Sequence, residues 1–424
     1  MLTRILHNNP SLCTFIDQLD LKVSAPQLRH ITNVADGLLV SDAAKTLAEI
    51  QRQFVSYVDP SNVADTFRIA PWTAQDIRAP LASLVMQTAL ERLERLGQRR
   101  VLLINLDDSL AIKDPNTQRL QGVDWHYYHS HPQKKRFRYQ NGLAYLACNI
   151  VAGDRSFTLA VRPYLRKQTV RRINRHRPPE RRVRFIGKYR LARQILEDCR
   201  PLIPTDVAVY VQFDAWYASA RLLNYIRRQG WHATCGVRSN RLLSGQRLAQ
   251  RFMAQRHRRY VYVDIHAADG STHTFLMRHT TGRLKEVPFD VRGLATKRHY
   301  RDPRPAYFIS TDLSLAPHTA LQWYAKRWNC EVDNLYLKER LGLGDFRLQP
   351  YEAIDKFCTV VHLAYAYTQW RLAHTTDHPV RNPADVIRLH RDEHARDWLM
   401  GACQEAIATG DIEAVMQRFL PASP

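Results

Sequence analysis

Apolar residues recur at three- and four-residue spacing over 41–54 and 77–96, which predicts two helices, with Ser41 or Asp42 capping the first. Residues 1–98 therefore read as a helical N-terminal unit. At Val101 the period changes, and 101–107 is a short apolar run ending in an acid, as in a buried strand. Residues 143–152 and 156–165 read as two strands joined by a hairpin turn at Gly153-Asp154. A helix over 191–202 follows, then a second apolar strand ending in acid over 207–214, a helix over 218–229 stopped by Gly230, and a strand over 231–237. This is a mixed α/β pattern with acids at strand ends. Alternation from Tyr260 to Ile265, a turn at Asp269-Gly270 and a strand over 272–278 predict an antiparallel β insertion. Residues 306–311 return to a buried strand. Helices are then expected over 318–341, 352–373, 385–399 and 404–419.

Charge changes the picture more than composition does. The chain has 424 residues, 45% of them hydrophobic, which is globular, yet 62 basic against 40 acidic residues leave a net charge of +22. Residues 1–100 carry 11 basic and 10 acidic side chains, 101–350 carry 44 and 20, and 351–424 carry 7 and 10, so the excess lies wholly in the middle. Within it, residues 162–193 hold 13 basic residues and one acid, Glu180, including Arg171, Arg172, Arg181 and Arg182. A second run, 238–259, has seven arginines and no acid. A charge run is commonly a solvated face. Here arginine predominates, which suits bidentate phosphate contact, and the runs flank segments that read as buried strands. A polyanion partner such as nucleic acid is expected.

No stretch approaches the apolar length of a membrane span, and Met1 to Asp17 lacks a signal-like pattern, so no membrane partner and a cytoplasmic location are expected. The seven cysteines show no CxxC and no Cys/His cluster at zinc spacing, and read as reduced, mostly buried core residues.

Three carboxylates stand out by position: Asp107 and Asp214 at strand ends, and Glu331 within the long helix. A single Asp after a strand commonly forms a turn or caps a helix. Around Glu331, however, Tyr324, Arg327, Glu331 and Lys338 fall at offsets that place all four on one face of the helix. The spacing Tyr-x2-Arg-x3-Glu-x6-Lys resembles the YREK signature of bacterial insertion-sequence transposases of the DDE, RNase H-like class. Asp107-Asp108-Ser109 resembles that family's first Asp with its following hydroxyl residue, and Val209 to Tyr217 resembles its second-Asp strand. The segment from Tyr307 to Leu313, leading to Arg327-Trp-Asn-Cys-Glu331, resembles the strand and helix that deliver its Glu.

The resemblance spans about residues 101–347 and implies an RNase H-like mixed-sheet core with a β-rich insertion. The expected organisation is a helical unit at 1–98, core at 99–239, insertion at 240–303, core with the YREK helix at 304–347, and a helical C-terminal region at 348–424. It further implies that Asp107, Asp214 and Glu331 hold two Mg2+ ions, for which Mn2+ can substitute, as expected for two-metal phosphodiester chemistry. Strand alternation favours Asp107 over the neighbouring Asp108 as first ligand. Tyr324, Arg327 and Lys338 are implied to contact transposon-end strands, with the arginine runs tracking the duplex. Some relatives stack a flipped base on a tryptophan of the insertion. This chain has none between Trp231 and Trp323, so Tyr260, Tyr262 or Phe289 would serve. The implied function is cut-and-paste transposition with double-stranded DNA, both element ends and target, as partner, and with a homodimer in the DNA complex. The alternatives are an RNase H-like structure-selective nuclease and a catalytically inactive, domesticated DNA-binding protein.

Overall fold

The computed structural model of the protein describes residues 5–56, 59–97, 99–127, 139–255, 259–267, 270–375 and 380–419. Five helices open the chain: α1 (Pro10–Asp17), α2 (Ala25–Val40), α3 (Leu47–Gln51), α4 (Pro60–Arg68) and α5 (Ala74–Leu96). The helix expected over 41–54 shrinks to the five residues of α3, capped by Thr46, while Ser41 closes α2 instead of opening the next helix. Helix α5 starts at a capping box, Thr73 with Asp76, which satisfies amide donors that its first turn leaves unpaired.

The strands follow as β1 (Val101–Ile112), β2 (Asp124–Tyr127), β3 (Tyr139–Ala152) and β4 (Arg155–Tyr164). Then come α6 (Lys167–Asn174), α7 (Lys188–Cys199), β5 (Ala208–Phe213), α8 (Ala220–Arg228) and β6 (His232–Val237). Strand β3 lies antiparallel to both β1 and β4, whereas β5 runs parallel to β1 and β6 parallel to β5. The order β4-β3-β1-β5-β6 is the RNase H-like arrangement, and β2 adds a short pairing to β3.

Beyond β6 come a small hairpin, β7 (Leu242–Leu243) and β8 (Gln246–Arg247), and a short helix, α9 (Leu248–Ala254). Strands β9 (Val261–His266), β10 (Thr272–Arg283), β11 (Asp290–Lys297) and β12 (Ala306–Ser310) then continue the sheet, all antiparallel, with β12 paired to β6. Asp269 of the expected turn lies outside the described residues.

The helix expected over 318–341 is broken. It comprises α10 (Pro317–Ala325), a 3-10 turn at Lys326–Trp328, α11 (Asn329–Leu335) and a π turn at Tyr336–Arg340. Uniform rotation per residue therefore does not place Tyr324, Arg327, Glu331 and Lys338; the local winding does. The C-terminal region holds α12 (Tyr351–His374), α13 (Pro383–Thr409) and α14 (Ile412–Phe419). The two helices expected over 385–399 and 404–419 are divided differently, because the break falls at Gly410, whose φ of 68° is a left-handed cap that favours glycine.

One hydrophobic cluster runs from Leu12 and Leu38 through Leu81, Leu102, Leu146 and Val211 to Phe357, Val361 and Ile387. Helix α12 is its axis: nearly every residue from Ala353 to Gln369 is buried, against α2, α4 and α5 on the one hand and β4 on the other. The N-terminal helices thus share their core with the C-terminal ones. Five of the seven cysteines are buried thiols, Cys13 is half-buried, Cys403 is exposed, and none forms a disulfide.

Candidate active site

Strand β1 sets the site by alternation, since successive side chains point to opposite faces of a sheet. Its even residues Leu102, Ile104 and Leu106 enter the main core with α7 and α8. Its odd residues meet the α10–α11 segment in order: Leu103 packs in a cluster with Trp323, Asn105 Nδ2 reaches the Lys326 carbonyl at 3.4 Å, and Asp107 takes Arg327. One step further, Lys338 Nζ donates to Ser109 Oγ at 3.2 Å. The broken helix is thereby laid along one face of one strand.

The parallel register of β1 with β5 runs from Val101↔Ala208 to Leu106↔Phe213, so its continuation sets Asp214 beside Asp107. Below them lies a row of polar residues in register across four adjacent strand pairs: Asn149, Asn105, Gln212, Thr234 and Ser310, each at most 1% exposed. Asn105 Oδ1, both amide atoms of Gln212 and Thr234 Oγ1 have no partner there. Buried polar atoms are normally paired, so this row is costly and lies directly beneath the acids.

Arg327 Nη1 donates to Asp107 Oδ2 at 2.6 Å, and the Arg327 guanidinium lies 5.7 Å from the Tyr324 ring centre. Burial nevertheless pushes the Asp107 carboxyl up to about 7; Arg327 opposes that, while Glu331, Asp214 and Asp108 add to it. The Asp214 carboxyl is also raised, by burial first and by Asp108, against the backbone N–H of Trp216, which it accepts at 2.9 Å. Glu331 is exposed and makes no hydrogen bond or ion pair among the described residues, yet its charge reaches Asp107. The three acids therefore share one electrostatic neighbourhood. Their ligand oxygens do not close on one another: among the described residues, the one group of three with all ligand atoms within 4.8 Å is elsewhere, at Asp36, His390 and His394.

Asp108 points to the opposite face, where Tyr217 Oη donates to it at 2.8 Å and Lys188 forms an ion pair with it. Its charges are thus engaged by two groups that sequence reasoning did not single out; the tyrosine three residues after Asp214 was the available signal. Tyr324 approaches β6 at Gly236, where a Cβ would come within 3.2 Å of its hydroxyl.

The first arginine run is largely exposed. Arg171, on α6, and Arg181 and Arg182, in the turn after it, are exposed; so is Arg172, which donates to the Val123 carbonyl at 3.0 Å. Arg256 and Arg258 of the second arginine run lie outside the described residues. Of the aromatics considered for base stacking, Tyr260 is covered by the Arg278 guanidinium at 4.1 Å, Phe289 packs against the core with Arg227 at 5.7 Å, and Tyr262 is exposed. The exposed rings nearest Asp214 are instead Tyr189 and Trp216, parallel to within 7° and 6.4 Å apart.

Fold and site together define an RNase H-like core with acids within β1 at Asp107 and at the end of β5 at Asp214. Residues 186–367, which include Asp214, the insertion strands and Glu331, match the family model described as the transposase DDE domain. Among solved structures it is similar to the piggyBac transposase in a synaptic complex with hairpin DNA, at 14% identity and a TM-score of 0.47, over 97% of this chain and 81% of that one. No curated protein matches it. No helix among the described residues is long and apolar enough to cross a membrane.

Proposed function

We propose that this protein is a DNA transposase that cuts an insertion sequence out at its ends and joins it to a target, using Asp107, Asp214 and Glu331 as its catalytic carboxylates. The observation that carries this reading is their convergence, with Arg327 and Lys338, on the face of β1 that meets the α10–α11 segment. The donor set fits hard divalent cations: all three groups offer oxygen, their charges crowd Asp107, and Glu331 has no competing partner. When bound, two Mg2+ or Mn2+ ions neutralise charge on the entering and leaving oxygens of an in-line displacement.

The remaining work falls to the chain's own residues. Arg327 holds one oxygen of Asp107 and supplies positive charge beside Asp214. Lys338, tethered only to a neutral hydroxyl, is placed to grip a phosphate flanking the scissile one. Tyr324 positions Arg327 and completes the stripe along the DNA. Arg171, Arg172, Arg181 and Arg182 track the duplex, so affinity should fall steeply with salt. We assign residues 99–239 and 304–347 to the catalytic core, 240–303 to the insertion, 1–98 to end recognition or dimerisation, and 348–424 to a helical C-terminal region. The active assembly is a homodimer holding two ends, working in the cytoplasm.

The test is a labelled duplex carrying the ends of the host element, with a supercoiled target, in Mg2+ or in EDTA. Metal-dependent end cleavage followed by joining supports the proposal, and Glu331→Gln should keep DNA binding and lose cleavage. Cleavage by Glu331→Gln at the wild-type rate would overturn the site assignment. Hydrolysis without joining would identify a structure-selective nuclease, and binding without any product a domesticated DNA-binding protein.

A further inference from the structure

A second cluster of metal-ligating side chains lies far from the acidic centre, inside the helical layer. Asp36 of α2 and His390 and His394 of α13 bring their ligand atoms within 4.8 Å of one another. All three are buried, at no more than 2% exposure. Both Nε2 atoms converge on the same oxygen, Asp36 Oδ1, at 2.7 Å each. The histidines are four residues apart on one helix, so they project from the same face, while the carboxylate arrives from a segment 354 residues away in sequence.

The surroundings orient each group. The backbone N–H of Asn9 donates to the other Asp36 oxygen at 2.9 Å, and the Tyr367 hydroxyl lies 3.3 Å from His390 Nδ1. Arg371 and Glu393, an ion pair, extend the network to the Asn9 side chain. Groups that hold the far side of a ligating imidazole or carboxylate in this way fix its orientation and the position of its lone pair. Two imidazole nitrogens and one carboxylate oxygen thus meet at one buried point.

We propose that Asp36, His390 and His394 form a site for a divalent transition metal, Zn2+ by the chemistry of the donors, that clamps the N-terminal helices to the C-terminal ones. Two imidazole nitrogens and one carboxylate suit Zn2+, whereas Mg2+ prefers oxygen ligands throughout. The two candidate metal centres of this chain therefore select different ions. Zn–N and Zn–O bonds of about 2.0–2.2 Å need ligand atoms roughly 3.3 Å apart, so the 2.7 Å contacts must open by about half an ångström on binding. The two Nε2 protons that now point at Asp36 cannot remain: each imidazole binds metal through Nε2 and carries its proton on Nδ1. His390 would then donate to the Tyr367 hydroxyl instead of accepting from it. A water fills the fourth position, as in other sites with three protein ligands.

The experiment uses the full chain, stripped with a chelator and titrated with Co2+ as a spectroscopic stand-in, in wild type, Glu331→Gln and His394→Gln. The glutamine at 394 can still donate to Asp36 but is a poor metal ligand, so a purely hydrogen-bonded cluster would tolerate it. The expected result is a visible Co2+ absorption band, displaced by Zn2+, of equal intensity in wild type and Glu331→Gln and lost in His394→Gln. A band unaffected by His394→Gln, or none in the wild type, would overturn the proposal. Should His394→Gln fail to fold, the wild type and Glu331→Gln decide alone: a higher melting temperature with Zn2+ but not with Mg2+ supports the site, and no shift with Zn2+ overturns it. Glu331→Gln separates this outcome from that of the catalytic reading, because it lacks the proposed Mg2+ ligand and keeps this one intact.

Discussion

Asp36 and Asp107 are both buried, and the protein treats them in opposite ways. Asp36 receives a backbone N–H and two imidazoles, and its carboxyl is held below the usual range. Asp107 receives one guanidinium in company with three other acids, and its carboxyl is pushed up to about 7. Within α11 the contrast is one of partners and not of titration, because burial raises the donor-ringed Asp333 carboxyl to about 6. Glu331 is exposed without a partner, while Asp333, two residues on, accepts from Asn149 at 2.7 Å, Tyr365 at 2.9 Å and Gln369 at 3.3 Å. A carboxylate surrounded by donors is part of the architecture. One crowded by other carboxylates is destabilised until cations arrive, and that distinction separates the proposed site from the structural carboxylates.

The sharpest way to break the comparison is to neutralise each member. On the proposed function, in which Asp107 ligates metal, Asp107→Asn is expected to lower end cleavage by on the order of 10³-fold or more, since such a ligand is worth several kcal/mol in the transition state. It should also raise the melting temperature at pH 8. A carboxyl raised on folding contributes less stability as pH climbs from its unfolded value towards about 7, and the neutral amide escapes that loss. Asp36→Asn should do the reverse, costing about 3–5 kcal/mol of stability because it leaves two buried imidazoles without their anion. Cleavage per folded molecule should be unchanged. Denaturant melts and single-turnover cleavage on both variants check this, and a matching loss of activity in both would erase the distinction.

How much of this was legible follows from where the signals lie in sequence. Asp214 follows the end of β5, and the strands at 261–266 and 272–283 lie where local alternation predicts them, but β1 runs on past Asp107 to Ile112 and β11 carries no alternation that announced it. Helix α2 escaped detection because the residues from His30 to Val40 are all buried, so it has no polar face to reveal a helical period. The break in the helix around Glu331 was equally hidden: Arg327 and Lys338 reach successive outward residues of β1 through a 3-10 turn and a π turn, geometries that residue spacing does not announce. The Asp36 cluster joins the two ends of the chain, which only tertiary packing could bring together.

A buried structural histidine should lose its stabilising contribution in acid. His362, wholly buried on α12, has Nε2 2.9 Å from the Thr158 carbonyl, and burial, with Arg78 and Arg162 nearby, lowers its pKa to about 4. A histidine depressed on folding contributes stability that is complete above its unfolded value near 6.5 and is lost as pH falls towards 4. The wild type should therefore lose about 3 kcal/mol over that window, and His362→Gln, although less stable at pH 7, should show a shallower decline. Melts across pH 4–7 measure it, and parallel curves would refute it.

The exposed arginines test the cationic side of the contrast. Replacing Arg171, Arg172, Arg181 and Arg182 together by alanine should leave the melting temperature within about a degree, because surface charges contribute little to stability. The salt dependence of binding should fall by close to one power of salt concentration for each phosphate contact removed. Fluorescence anisotropy between 50 and 200 mM salt reads this slope, and an unchanged slope would move the duplex to another face.

The smallest effect sharpens the comparison most, because it concerns neither carboxylate directly. Gln212 lies in the unpaired polar row beneath Asp107 and Asp214, and neither of its amide atoms has a partner. Replacing it with leucine removes two buried groups that cost free energy, so stability should rise by about 1 kcal/mol. If the row were only an imperfection of packing, cleavage would be untouched. If it holds the acids above it in position, the stabilised variant should cleave several-fold more slowly, with its DNA affinity preserved. Stability and single-turnover rate moving in opposite directions is the expected outcome. It would extend the site's electrostatic cost one layer into the sheet: polar groups left unsatisfied below, carboxylates left uncompensated above.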